Sequence, residues 1–135
     1  MIRSTFFTVV AIGLMASGCS SLKITDPMKD FEDASRAYGQ AITWSEYVVA
    51  ATFLKSDDQG EKAVDIEQMN KFRVTAYEPR FLKVLEEDAR IRQIVKISYF
   101  RKDNLIVKTI SDDQLWEYDT EKDSWVLTTG FPRLD

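Results

Sequence analysis

Cys19 is the only cysteine in a chain of 135 residues that contains no histidine. A lone thiol has no internal disulfide partner, so a domain exported to an oxidising compartment must rely on core packing. Without histidine the chain lacks the commonest general base near neutral pH and the most frequent transition-metal ligand. Zinc sites and Ser-His or Cys-His catalysis are therefore excluded or nearly so. Carboxylates cluster at Asp57-Asp58, Glu86-Glu87-Asp88 and Asp119 to Asp123. Hard cations favour such clusters, but none has the spacing of a calcium loop, and polar runs of this kind are the ordinary material of turns. No metal and no cofactor are expected.

Cys19 ends a distinctive segment. Arg3 is followed by an uncharged run from Thr5 to Ala16, and the small residues Ala16, Ser17 and Gly18 precede the cysteine. This three-part layout is that of an export signal. It resembles a bacterial lipoprotein signal peptide, with Ala16 where that family most often carries Leu. The resemblance implies cleavage after residue 18 and acylation of Cys19, palmitate included, as the first residue of the mature protein. Two or three acyl chains at ~0.8 kcal/mol per buried methylene anchor stably, whereas one holds only marginally. Ser20, where Asp would signal retention, points to the outer membrane and its periplasmic face. An uncleaved membrane helix is disfavoured, because Gly13, Ser17, Gly18, Ser20 and Ser21 leave the apolar stretch short of the ~20 residues needed to span a bilayer.

Residues 1–18 are thus assigned to the signal, 19–26 to a lipidated tether and 27–135 to one domain of ordinary size. Losing the signal removes Arg3 and no acidic residue, which moves the formal charge from −4 to −5. That sign, and the lack of any cationic cluster, argue against nucleic acid and against a polybasic membrane patch.

The domain should open with Asp26-Pro27 as helix cap and first helical residue. Phe31, Ala34, Tyr38, Ala41 and Ile42 then recur at helical spacing. Thr43 to Glu46 interrupts the helix, with Ser45 expected as the cap of a second run from Tyr47 to Leu54. A short third helix is expected around Val64 to Met69. The period then changes to two, with Phe72, Val74 and Ala76 alternating, and Pro79 marking a bulge or bend in an edge strand. Arg90 to Arg101 places Ile91, Val95, Ile97 and Tyr99 on one face. Leu105 to Tyr118 and Ser124 to Thr129 complete a four-stranded antiparallel meander. Helices first and strands afterwards predict an α+β fold, with N-terminal helices packed on a curved sheet.

The run Ala37 to Leu54, with its helix, polar break at Thr43-Trp44-Ser45-Glu46 and second helix, resembles the opening of nuclear transport factor 2-like domains. That cone-shaped fold would cover about Pro27 to Pro132. The arrangement is also similar to uncharacterised lipoproteins of Gram-negative bacteria, and a cystatin-like helix-on-sheet domain is the alternative. Enzymes of isomerase and cyclase type on the cone-shaped fold use an Asp base in an apolar pocket. By that resemblance Asp112 or Asp113 is the candidate base, and burial would raise its pKa. The other expectation for Asp112-Asp113 is a solvated bulge. Tyr38, Trp44, Tyr47, Tyr77, Tyr99 and Trp116 are the candidates for a pocket or partner surface, although aromatics on a sheet more often form core and cross-strand pairs. The expected function is a lipid-anchored envelope protein that is not an enzyme and binds a partner protein or small apolar ligand. The alternatives are a small enzyme with a pocket Asp and a structural subunit of an envelope assembly.

Overall fold

The computed structural model describes residues 26–56, 66–86 and 89–135. The stretch expected to be a signal peptide, Cys19 and the acidic residues Asp57, Asp58, Glu87 and Asp88 lie outside the described residues.

Helix α1 spans Pro27–Thr43, and Asp26 caps it by accepting the Met28 amide at 3.1 Å. Its buried stripe is Phe31, Tyr38, Gly39, Ala41 and Ile42. The helix stops at Trp44, and Ser45 takes a left-handed backbone conformation with φ of 58°. Glu46, not Ser45, occupies the cap position of α2, Tyr47–Ala51, and makes no side-chain capping bond. The reason is geometric: capping residues have extended backbone, which a left-handed Ser45 does not. Helix α2 also ends earlier than the apolar run suggests. The Leu127 amide donates to the Phe53 carbonyl at 2.7 Å and the Lys55 amide to the Leu127 carbonyl at 2.9 Å, so this segment is drawn into sheet-like pairing. A single turn, α3, follows at Ile66–Met69.

Strands β1 (Phe72–Glu86), β2 (Arg90–Arg101), β3 (Val107–Asp119) and β4 (Ser124–Leu127) form one antiparallel sheet in the order β1-β2-β3-β4. The expected meander and α+β class are borne out. Strand β3 starts at Val107 because Leu105 adopts φ of 56°, and β4 stops at Leu127 before the turn at Gly130.

Three register shifts interrupt the β1–β2 pairing, between Val74 and Ala76, Pro79 and Phe81, and Val84 and Glu86. Each extra residue reverses the alternation of side chains and bends the strand. Ala76 therefore leaves the inner face to which simple alternation assigned it, and Tyr77 takes its place opposite Ile97. Pro79 faces Val95 and Leu82 faces Gln93 on the same side. The β2–β3 pairing has no such shift. Phe31, Tyr38, Tyr47, Phe72, Ile97, Tyr99 and Trp116 form the core between α1, α2 and this inner face, each at most 1% exposed. Phe31 meets Trp116 and Trp125 edge-on at 5.8 and 5.5 Å, and Tyr38 meets Trp116 at 5.6 Å. Such aromatic pairs add about 0.5–1.5 kcal/mol each beyond area burial.

Candidate functional site

Helix α1 lies against β1 and β4, and its Phe31 and Tyr38 pack on Trp116 of β3, but a gap remains between the helix and the inner face of β1. The gap is a groove of about 410 Å³, walled by Phe31, Gly39, Thr43 and Trp44 from α1 and by Tyr77, Pro79, Leu82 and Gln93 from the sheet. Glu32, Arg36 and Gln40 stand at its rim. Arg36 pairs with Asp33 at 3.4 Å, so the rim offers no uncompensated positive field. Volumes of roughly 300–1,000 Å³ with apolar walls and few polar groups suit small-molecule ligands.

The six aromatic candidates divide. Trp44, 68% exposed, and Tyr77 line the groove. Tyr38, Tyr47, Tyr99 and Trp116 are core residues outside its lining. Tyr47 donates its hydroxyl to the Phe72 carbonyl at 3.4 Å, and Tyr99 donates to Asp135 at 2.9 Å, which ties down the C-terminus. Phe131 packs back on Tyr47 at 6.2 Å, and Leu134 is buried.

Beside the groove lies a buried polar cluster organised by Gln114, which is 0% exposed. The Trp116 indole N–H donates to Gln114 Oε1 at 3.1 Å. Because indole is a donor only, this contact fixes which end of the amide faces it. Gln114 Nε2 then donates to the Tyr77 hydroxyl and to Asp112 Oδ2, both at 2.9 Å. Burial raises the pKa of Asp112, the Gln114 bond opposes this, and the Asp113 charge adds to the rise. Burial also pushes up the hydroxyls of Tyr38 and Tyr77, and the Tyr38 hydroxyl has no hydrogen-bond partner.

Asp112-Asp113 is not a bulge: the two residues pair regularly with Val95 and Ile94. Strand alternation turns Asp112 to the inner face and Asp113 outward, where Arg92 Nε donates to it at 2.8 Å. That hydrogen bond holds the Asp113 carboxyl below its ordinary range. Asp112 is a half-buried carboxylate among tyrosines, yet it is absent from the groove lining. The acidic stretch at Asp119 to Asp123 makes a turn in which Asp119 accepts the amides of Glu121 and Lys122 at 2.9 and 3.2 Å.

Sequence reasoning missed Gln93 and Gln114, the two buried polar side chains of the sheet. Each was legible as the polar exception in an inward series: Gln93 between Ile91 and Val95, Gln114 two residues before Trp116. Gly39 was missed as well. A methyl group there would approach Tyr77 Cε1 to 2.6 Å and Cδ1 to 2.8 Å, so only glycine lets the ring lie against the helix. Alanine gains ~1 kcal/mol in helix propensity over glycine. The ring is held at its far end by Gln114, and overpacking of this kind costs ~1–3 kcal/mol. Gly39→Ala is expected to lower the thermal midpoint by about 5 °C, at the 4–8 °C per kcal/mol of a domain this size. A rise in the midpoint would show that Tyr77 moves aside freely.

Neither a protein-family model nor a curated protein matches this sequence. Two solved structures share its architecture. One is an NTF-2-like protein of unknown function from Shewanella oneidensis MR-1, with a TM-score of 0.51 and 14% identity over 76% of this chain and 94% of that one. The other, from Xanthomonas campestris pv. campestris, carries the name "putative polyketide cyclase", with a TM-score of 0.52 and 13% identity over 76% of this chain and 90% of that one. At these identities the likeness concerns backbone architecture alone, and with the helices-then-meander order it establishes that the chain has the α+β fold of NTF2-like proteins.

Proposed function

We propose that this protein is a lipid-anchored component of the cell envelope, tethered through acylated Cys19 to the periplasmic face of the outer membrane. Its NTF2-like domain binds a small apolar ligand without transforming it. The observation that carries the binding role is the groove between α1 and β1, with aromatic and aliphatic walls and a volume in the ligand-binding range. The anchor is supported by the layout of residues 1–19 alone.

A second possibility, an isomerase- or cyclase-type enzyme, draws on the raised pKa of Asp112 and on the name of one structural neighbour. A general base must come within hydrogen-bond reach of the proton it takes, directly or through one water. Asp112 is not part of the groove wall and spends a carboxylate oxygen on Gln114, which favours binding over catalysis.

Two measurements test the proposal. Wild-type protein should incorporate radiolabelled palmitate and fractionate with outer membranes, whereas Cys19→Ser should incorporate none; labelling that survives the substitution would refute the anchor. Wild-type protein should also retain the neutral apolar dye N-phenyl-1-naphthylamine, and Leu82→Arg on the groove wall should release it. Turnover of an enolisable ketone that Asp112→Asn abolishes would favour the enzyme instead.

A further inference from the structure

Beyond β4 the chain turns at Gly130, where φ is 80°, and the last residues pack back on the domain. Phe131 meets Tyr47 of α2 at 6.2 Å, Pro132 and Leu134 are buried, and Asp135 accepts the Tyr99 hydroxyl at 2.9 Å. Between this tail, α3 and the segment Leu54-Lys55 lies a second cavity of about 360 Å³. It shares no residue with the groove between α1 and β1. Its apolar wall is Leu54, Met69, Leu127, Phe131, Pro132 and Leu134.

The charges in the lining all have one sign. Lys55 and Arg133 stand there and no carboxylate does, in a chain whose formal charge is −4. Arg133 is exposed and has no ion pair or hydrogen bond among the described residues. Lys55 Nζ lies 3.4 Å from Glu117 Oε2, but Arg90 Nε lies 3.5 Å from the other oxygen of that carboxylate, so one anion faces two cations. The polar side chains of the wall are already engaged: Thr128 donates to the Leu115 carbonyl at 3.1 Å, and Gln68 accepts from Lys71 at 2.9 Å. A ligand that satisfies both the apolar wall and the free guanidinium must carry an apolar body and an anionic head. Because the residues on either side of Arg133 are buried, its backbone is fixed before a ligand arrives, which limits the freedom lost on binding. A volume near the lower end of the roughly 300–1,000 Å³ usual for ligand pockets suits one alkyl chain rather than the two of a phospholipid.

We propose that this cavity binds a fatty acid, its chain against Met69, Leu127 and Phe131 and its carboxylate paired with Arg133. The site is independent of the groove and of the ligand proposed for it. Guanidinium and carboxylate match in geometry as well as charge, and the apolar wall supplies most of the affinity.

Decanoate is the probe, with octanoate and hexanoate as shorter homologues and 1-decanol as an uncharged one. Binding to the full-length protein in phosphatidylcholine nanodiscs is measured by equilibrium dialysis, with empty nanodiscs subtracted. Affinity should rise about three- to fourfold per methylene from hexanoate to decanoate. Arg133→Gln should weaken decanoate about fivefold and leave 1-decanol unchanged, whereas Arg133→Lys, which keeps the charge, should stay within about twofold of wild type. Arg133 is exposed, so neither variant disturbs the core. No binding of decanoate above empty nanodiscs, or an affinity independent of chain length, would overturn the proposal; the second result would reduce it to ion pairing at the surface. Equal weakening of decanoate and 1-decanol by Arg133→Gln would equally refute the pairing with the carboxylate. Leu82→Arg in the groove should not affect decanoate. If it abolishes decanoate binding while Arg133→Gln does not, the fatty acid occupies the groove, and this cavity is not its site. Decanoate binding that follows Arg133 in a protein unable to retain N-phenyl-1-naphthylamine would remove the groove's role and keep this one.

Discussion

Gln114→Leu is expected to destabilise the domain by about 3 kcal/mol in urea unfolding, although it replaces a polar core residue with an apolar one of similar size. The usual gain from such a swap requires that the partners also lose their polar groups. Here they stay. The Trp116 indole N–H is left without an acceptor in the core, and Asp112 loses the one hydrogen-bond donor it has among the described side chains. Stranding one buried neutral group costs about 1–3 kcal/mol, and more for a charged one. In a Trp116→Phe background the indole donor is already gone, so the same substitution should cost about 1 kcal/mol less; strict additivity would mean that the two residues are not coupled. Asp112 adds a pH signature. Its folded pKa is already raised by burial, and removing the opposing Gln114 bond raises it further. The penalty for the buried charge therefore stands in full above the folded pKa and disappears below the unfolded value of ~3.9. The stability gap between wild type and Gln114→Leu should narrow as the pH falls through the folded pKa of Asp112. A gap that widens on acidification would show that the carboxylate is not the strained partner.

Trp116→Ala should have the largest effect of any single truncation, about 4 kcal/mol, within the range of 3–5 kcal/mol for buried Trp or Phe to Ala. Trp116 is 0% exposed and touches Phe31 and Tyr38 edge-on, so it is the contact through which α1 seats on β3. The variant also leaves Gln114 Oε1 unpaired in the void. Against a total stability of ~5–15 kcal/mol, the urea midpoint should fall by about 2 M at an m-value near 2 kcal/mol/M. A loss below about 1.5 kcal/mol would show that α1 collapses into the space, and the groove would then change shape with it.

The outline of the fold was legible because it depends on local rules. Asp26-Pro27 starts a helix for reasons contained in two residues, and the stripe Phe31, Tyr38, Ala41 and Ile42 is buried as its spacing predicts. Ile91, Val95, Ile97 and Tyr99 share the inner face because β2 keeps strict alternation against β3. Strand β1 did not yield to the same rule. Its three register shifts are recorded only in the pairing with β2, and they exchange Ala76 for Tyr77 at the groove wall.

What the amino-acid sequence determined by itself was therefore the order of elements, the helical stripe and the faces of β2. These follow from short-range periodicity and from residue type. The tertiary structure alone decided that Asp112 turns inward while Asp113 meets Arg92, and that Trp44 and Tyr77 line the groove while Tyr38, Tyr47, Tyr99 and Trp116 fill the core. It alone exhausted the amide of Gln114 and left Gln93 Oε1 unpaired. The physical reason is that hydrogen-bond capacity is shared among strands distant in sequence. A glutamine is a donor and an acceptor wherever it stands, and whether either end remains free depends on which neighbours the fold brings beside it.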